Sequence, residues 1–399
     1  MVSKYDHIYK QLESYKEKNI YRELLISSIK KKKGKGDSGN SFYLGNKKAI
    51  NLCSNDYLGL SQNPLVISIT KGSLKQISQC SSRLISGNDK NIIKLESILA
   101  KHRNTKRALV YPTGYMANLG AITSLSSPDH VIFSDSLNHA SIIDSCRLAR
   151  SNAIEIFRHN DIEHLSLLFK KNSKFKKIIV TEGVFSMDGD IARLNELSEL
   201  AKKYDAILVV DDAHSDFIFG RSGNYGGIPE YYGVEKQVDI HISSLSKGLG
   251  CFGGYVASSE LVYNFLINRS RQFIYTSAIP EHLCVAAMAA IHFLKKNKNI
   301  QKDFISLINW FRDQLKESGF NVGNSASQII PIIVGNEKLA LDFSKELFKN
   351  GIFIQAIRYP TVSVGEARLR ISINASFSKP QLLYVIKCLD KIAKKMGIT

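Results

Sequence analysis

The stretch Ser243-Ser-Leu-Ser-Lys-Gly-Leu-Gly-Cys-Phe-Gly-Gly254 sets one lysine, Lys247, between small hydroxyl residues and a run of glycines. An amine flanked in this way can be approached closely, and a desolvated ammonium loses its proton readily enough to attack a carbonyl and form an imine. A glycine-rich turn carrying a solvated lysine fits the same stretch. Asp211, Asp212 and His214 follow the apolar run Ile207-Leu-Val-Val210. A carboxylate at a strand end could keep a pyridine nitrogen protonated, turning the ring into an electron sink, and an imidazole three residues on could bond a phenolic oxygen of that ring. Read in this way, the carbonyl that Lys247 would capture belongs to pyridoxal phosphate. Strand-end aspartates also cap helices, which is the competing structural reading of Asp-Asp-Ala-His.

Three more segments could bear on such a site. Thr113-Gly-Tyr-Met-Ala-Asn118 follows a strand and opens a helix, the geometry in which backbone N–H groups and the helix dipole bind phosphate. It carries neither a dinucleotide fingerprint nor a Walker loop, and alone it is an ordinary strand-to-helix turn. Asn138-His-Ala-Ser141 begins another helix after a strand, where His139 is either structural or catalytic. Thr181-Glu-Gly-Val-Phe-Ser-Met-Asp-Gly189 ends a further strand and offers Ser186 as a hydroxyl donor.

The elements that must position these groups alternate. Strands are expected over Ala108 to Tyr111, Val131 to Ser134, Ala153 to Phe157, Lys177 to Thr181, Ala206 to Asp211 and Asp239 to Ser243. Amphipathic helices intervene, the clearest presenting Leu194, Leu197, Leu200, Ala201 and Tyr204 on one face. Continuous apolar strands suit a sheet covered on both faces, so the fold class is α/β with a doubly wound, mostly parallel sheet, whose ligands bind at the carboxyl ends of strands. Two helices are expected between Pro64 and Leu99, and apolar positions from residue 5 to 29 predict a leading helix followed by a loop from Lys30 to Asn40. Beyond Pro280 come helices over Leu283 to Leu294 and Asp303 to Ser318. An α+β pattern follows: strand Ile329 to Val334, a helix from Lys338, strands Phe353 to Ile357 and Ala367 to Ile373, and a final helix Lys379 to Met396. The expected division is an N-terminal helix and arm (1–50), a large α/β domain (51–295) and a smaller C-terminal α+β domain (296–399).

With 399 residues, 44% hydrophobic and 23% charged, the chain has the composition of a globular protein. No apolar run approaches the ~20 residues of a membrane helix, and Met1 to Gly36 lacks the pattern of a secretory signal, so a cytoplasmic protein without a membrane partner is expected. Six cysteines lie far apart with no C-x-x-C pair, which suggests neither a metal site nor disulfides. A formal charge of +18, from 54 Lys and Arg against 36 Asp and Glu, would attract nucleic acid, an acidic carrier protein or phosphorylated substrates. Only Lys30 to Lys35 forms a basic block, read as a solvated loop, so no nucleic-acid partner is expected.

Taken together in this order, the segments resemble the α-oxoamine synthases, pyridoxal-phosphate enzymes of the aspartate-aminotransferase fold (fold type I) that join an amino acid to an acyl thioester with loss of CO2. The resemblance runs from about Tyr21 to the last helix and rests on Asn51-Leu-Cys-Ser-Asn-Asp-Tyr-Leu-Gly-Leu60, Asn138-His-Ala-Ser141, Thr181 to Gly189, Val210-Asp-Asp-Ala-His214 and Ser244-Leu-Ser-Lys247. It implies that Lys247 anchors the cofactor and moves protons, Asp211 pairs with the pyridinium nitrogen, His214 and Ser186 bond the ring oxygen, and His139 stacks on the ring. Thr113, Gly114 and Tyr115 would hold the phosphate, with Ser244 beside the lysine. Thr276 and Ser277 would reach the cofactor of a second subunit in a homodimer. Arg370 would grip the amino-acid carboxylate, with Arg22, Asn55 and Thr361 lining the substrate site.

Ala356 to Val362, Ala367 to Ile371, His159-Asn-Asp161 and Val184 to Gly189 resemble most the branch that joins L-alanine to a pimeloyl thioester, carried by coenzyme A or an acyl-carrier protein, to give 8-amino-7-oxononanoate for biotin. A glycine C-acetyltransferase is the alternative within the family, and a basic nucleic-acid-binding protein on an inactive enzyme scaffold is the alternative outside it. The chain departs from the usual family pattern at Ser78-Gln-Cys-Ser-Ser82, Ser215-Asp-Phe217 and Gly223-Asn-Tyr-Gly226, which are expected to lie around the acyl substrate.

Overall fold

The computed structural model describes residues 4–31, 40–221 and 223–398. These fall into two compact units, one formed by Asn55–Ser186 with Asp190–Ser306 and the other by the remaining described residues.

The first unit is built on a seven-stranded sheet. Across it the strands run in the order Arg107–Tyr111, Gly254–Ser258, Ile240–Ser244, Ile207–Asp211, Lys176–Glu182, His130–Asp135 and Ala153–Phe157. Only Gly254–Ser258 is antiparallel to its neighbours. Successive residues such as Leu208, Val209 and Val210 are all fully buried, which requires cover on both faces and explains their unbroken apolar sequence. One face packs Leu109, Ile132, Val180, Val209, Ile242 and Val256 against the helix Gly114–Leu125 through Ala117, Ala121 and Ile122. On the helix Leu194–Lys203 the buried stripe is Leu194, Leu197, Leu200 and Ala201.

The six strands expected from sequence are present with ends moved by one residue or less. The seventh, Gly254–Ser258, was missed because it starts inside the glycine run. The parallel strands end at Tyr111, Asp135, Glu182, Asp211 and Ser244, so every segment marked above for chemistry in this unit except Thr276 and Ser277 leaves the same carboxyl edge or lies among loops leading to it.

The second unit holds two small sheets. Ser27–Lys31, Asn40–Leu44 and Lys47–Asn51 form an antiparallel meander to which Ile352–Phe353 adds a parallel edge. Ile329–Gly335, Ala367–Ser372 and Ala356–Ile357 make an antiparallel three-stranded sheet. The single strand expected over Phe353 to Ile357 is therefore two short ones in different sheets. The leading helix is also shorter than expected, spanning Asp6–Glu17. It stops where Asn19 takes φ +54, and Ser27–Lys31 is strand. Lys30 and Lys31 belong to that strand; the rest of the basic block lies outside the described residues. The final helix, Lys379–Met396, is fixed at its start by a Ser378/Gln381 capping box and at its end by Gly397 at φ +68.

Because Leu208 sits at the centre of the sheet with no exposure, Leu208→Ala is expected to lower the unfolding free energy by about 2–5 kcal/mol in urea denaturation, with the slope unchanged.

Candidate active site

The lysine is presented by a tight connection between two strands. Leu245 N–H donates to Gly253 O at 3.0 Å, Cys251 N–H to Leu245 O at 2.9 Å, and Gly250 N–H to Lys247 O at 3.2 Å. Gly250 holds φ +60, and a Cβ there would lie 2.5 Å from both Asp56 Oδ1 and Ser61 N, so this turn needs glycine. The turn returns into Gly254, where a Cβ would lie 2.5 Å from Gly114 N. Two glycines meeting in this way let the start of the helix Gly114–Leu125 sit against the sheet edge beside Ser244.

Lys247 Nζ lies 2.9 Å from His214 Nε2, His214 Nδ1 lies 2.7 Å from the Tyr57 hydroxyl, and that hydroxyl donates to Asn55 Oδ1 at 3.1 Å. An amide oxygen only accepts, so the tyrosine spends its proton there and receives one from Nδ1–H. His214 Nε2 thus presents its lone pair to the lysine. The series Lys247–His214–Tyr57–Asn55 runs in a single hydrogen-bond direction.

Asp211 is almost completely buried, and both its oxygens are oriented by donors. Oδ1 accepts Ala213 N–H at 2.9 Å and Oδ2 accepts Asn118 Nδ2–H at 2.6 Å. The other Asn118 N–H reaches Ser141 Oγ at 2.9 Å. Ser141 Oγ lies 2.8 Å from His139 Nδ1, which also accepts Ser141 N–H at 3.2 Å. His139 Nδ1 is therefore an acceptor. Burial and the nearby Lys247 cation lower the His139 pKa, which favours a neutral imidazole with its proton on Nε2.

Glu182 pairs in register with Asp211 on the neighbouring strand and is fully enclosed. Burial, and next the Asp211 charge, push its pKa well above the usual carboxylate range. It accepts the His139 backbone N–H, while its Oε1 has no hydrogen-bond partner among the described residues. Burial thus favours a protonated, neutral Glu182 beside Asp211.

Thr113 caps the helix by accepting Met116 N–H at 3.1 Å, leaving the Gly114 and Tyr115 N–H groups outside helical bonding. Ser244 Oγ lies 2.8 Å from Ser246 Oγ at the same place. Ser186 is buried in the loop after Glu182. Thr276 and Ser277 lie on a partly exposed segment of this unit. Arg22, Thr361 and Arg370 belong to the other unit. Arg22 and Thr361 are exposed; Arg370 is buried and donates to Ser372 Oγ at 2.8 Å.

Sequence reasoning gave no role to Asn118, Tyr57, Glu182 or Ser141. Asn118 could have been found from its spacing, one helical turn beyond Gly114 and on the same face.

Among the departures from family pattern, Ser215, Asp216 and Phe217 are buried, and Phe217 lines a cavity together with Gly223, Asn224 and Tyr225, so what the structure adds is their tie to the core. Asp216 lies 2.8 Å from His102 Nε2, accepts the Tyr255 hydroxyl at 2.6 Å and pairs with Arg103 at 3.3 Å. Phe217, at φ +65, stacks on His102 with centroids 4.1 Å apart. Asn224 Nδ2 donates to His102 O at 2.6 Å. The unusual residues thus satisfy one another. Arg103 also reaches Asp212 at 2.8 Å, tying this network to the turn that carries His214.

The site suits a phosphorylated pyridine aldehyde. A buried carboxylate with spare lone pairs could take a ring N–H, a half-buried amine stands by for the carbonyl, and a helix start narrowed by two glycines could take the phosphate. Fold and site together define a pyridoxal-phosphate enzyme of fold type I. Residues 47–389 match the family model for aminotransferase class I and II, and the chain belongs to that family.

Its relatives include the 8-amino-7-oxononanoate synthases of Citrifermentans bemidjiense, 38% identical over 97% of this chain and 98% of the relative, and of Thermoanaerobacter pseudethanolicus, 37% identical over 98% of each. Among solved structures, a serine palmitoyltransferase from S. paucimobilis with bound PLP superposes at a TM-score of 0.90, with 27% identity and full coverage of both chains. An 8-amino-7-oxononanoate synthase from Francisella tularensis superposes at 0.73, with 27% identity over 88% of this chain and 99% of that one. No helix among the described residues is long and apolar enough to cross a membrane, and no group of His, Cys, Asp or Glu among them is arranged to hold a metal ion.

Gly254→Ala is expected to fold but to bind pyridoxal phosphate at least ~10-fold more weakly, since the added methyl displaces the helix start. Absorbance titration of the apoprotein with the cofactor measures this.

Proposed function

We propose that this enzyme condenses L-alanine with a pimeloyl thioester, releasing CO2 and the free thiol, to give 8-amino-7-oxononanoate for biotin synthesis. The observation that carries the reading is identity of 38% over 97% of the chain to an enzyme of that name. The site geometry is consistent with it. Pyridoxal phosphate, when bound, supplies a protonated ring that delocalises negative charge developing at the amino-acid Cα.

The chain's own groups then divide the work. Lys247 Nζ would anchor the cofactor and would hold and move the proton at the substrate Cα. His214 Nε2, fixed by Tyr57 and Asn55, orients that amine, and with Ser186 it bonds the ring oxygen. Asp211 keeps the ring nitrogen protonated; each unit by which it raises that pKa is worth about 1.4 kcal/mol. His139, neutral and held by Ser141, stacks on the ring face. Thr113, Gly114, Tyr115 and Ser244 receive the phosphate.

Arg370 holds the substrate carboxylate through a bidentate pair, with Asn55, Arg22 and Thr361 completing the substrate site. Thr276 and Ser277 serve the cofactor of a second subunit, making the enzyme a homodimer with shared sites. It acts in the cytoplasm, with an N-terminal helix and arm over 1–50, a large domain over 51–295 and a small C-terminal domain over 296–399. The charge of +18 favours acidic acyl carriers, whether coenzyme A or an acyl-carrier protein.

The test is product formation by the purified protein. L-alanine with a pimeloyl thioester should yield 8-amino-7-oxononanoate and CO2, while glycine with acetyl-CoA should turn over poorly; the reverse preference would contradict the reading. Lys247→Ala should lose covalent attachment of the cofactor. Asp211→Ala should fold, by circular dichroism, yet lose nearly all turnover, and a folded variant with most of its activity would refute the role given to Asp211.

A further inference from the structure

His159 lies outside the groups assigned above, yet both its ring nitrogens are engaged by carboxylates. Nδ1 is 2.9 Å from Asp135 Oδ1 and Nε2 is 2.7 Å from Asp190 Oδ2. Neither carboxylate oxygen can donate when ionised, so the ring satisfies both by carrying both protons. Burial alone would lower its pKa, but the hydrogen bonds and charges of Asp135 and Asp190 raise it to about 10. Asn160 reinforces the same pair: its N–H donates to Asp135 Oδ2 at 2.9 Å and its Nδ2 to Asp190 Oδ2 at 3.1 Å. The edge of the His159 ring meets Phe185 with centroids 4.4 Å apart, at 90°.

The two carboxylates belong to the two segments that matter most around the ring site. Asp135 ends its strand and shapes the turn into His139: its Oδ1 accepts Leu137 N–H at 2.9 Å and its backbone O accepts Asn138 N–H at 3.2 Å. Asp190 lies on the returning arm of the loop bearing Ser186. There Phe185 N–H donates to Asp190 O at 3.0 Å, Val184 bridges Ile191, and Ala192 N–H donates to Gly183 O at 3.1 Å. Phe185, against which His159 rests, is the residue immediately before Ser186.

We propose that His159 is a positioning residue, an imidazolium strut between Asp135 and Asp190 that sets the His139 turn and the Ser186 loop at a fixed separation around the cofactor ring. This rests on the reading of His139 and Ser186 as ring contacts. A neutral side chain at 159 would give neither carboxylate a charged partner and would leave two like charges facing each other, so the loop and turn would separate.

The test uses the holoenzyme of three proteins: wild type, His159→Gln, and His159→Gln with Asp190→Asn, the last removing one of the facing charges so that folding is retained. The readouts are the dissociation constant for pyridoxal phosphate and the pH midpoint of the cofactor's visible absorption band, which responds to hydrogen bonds at the ring oxygen. His159→Gln should bind the cofactor ~10-fold or more weakly and shift that midpoint by about one unit, with kcat falling more than the KM for alanine, and the double variant, freed of the facing charges, should recover part of both losses.

Wild-type affinity and an unmoved midpoint in folded His159→Gln, or a double variant no better than His159→Gln, would overturn the strut while leaving the cofactor site intact. A wild-type protein with no such band would overturn the site reading and the strut together. Independently of any variant, wild-type protein labelled with 15N-histidine should show both His159 ring nitrogens protonated at about pH 8, and a neutral ring there would refute the proposal.

Discussion

The carboxylate of Asp211 is the constraint around which the site is built. It emerges at the end of a strand whose preceding residues, Leu208 to Val210, are fully buried, so its position is fixed by the sheet. Its two oxygens are oriented by Ala213 N–H and Asn118 Nδ2–H, and Asn118 carries that order on through Ser141 to His139. A negative charge in such surroundings is costly without compensation. Lys247 and donated hydrogen bonds supply part of it, while Glu182 on the adjacent strand avoids adding a second charge by holding its proton. We propose that the partner of Asp211 is a cationic ring nitrogen, which pyridoxal phosphate would bring.

Much of this was legible in the sequence, for identifiable reasons. Strands buried on both faces announce themselves as unbroken apolar runs, and the residues just after them, Thr113, His139, Asp211 and Lys247, stand where a parallel sheet presents ligands. The antiparallel strand Gly254–Ser258 was hidden because its glycine start reads as turn, although that glycine is needed for the approach to Gly114. Asn118 and Tyr57 were hidden for a different reason. Each acts by holding another side chain: helical spacing from Gly114 puts Asn118 on the right face, but which group it or Tyr57 holds is set by three-dimensional proximity that spacing does not encode. The leading helix was overextended because Ile20, Leu24 and Leu25 continue a helical rhythm past the point where Asn19 turns the backbone.

The departures from family pattern at Ser215 to Phe217 show a role that their sequence did not announce. Asp216 and Phe217 look like changes to a substrate loop, but their side chains point into a buried network with His102, Arg103 and Tyr255. Arg103 is balanced by Asp212 as well as Asp216, so the substitutions are compensated where they occur. Breaking one partner of such a buried group would leave an uncompensated charge, typically worth about 3–5 kcal/mol. Through Asp212 the network is joined to the turn that carries His214.

Asp211 is proposed to keep the cofactor ring nitrogen protonated throughout the working pH range. This claim is tested most directly by 15N NMR of holoenzyme reconstituted with pyridoxal phosphate labelled at the ring nitrogen, titrated from about pH 6 to about pH 9. A chemical shift in the protonated range that stays constant across the titration is the predicted result. A shift in the unprotonated range, or one that titrates near neutrality, would contradict the claim.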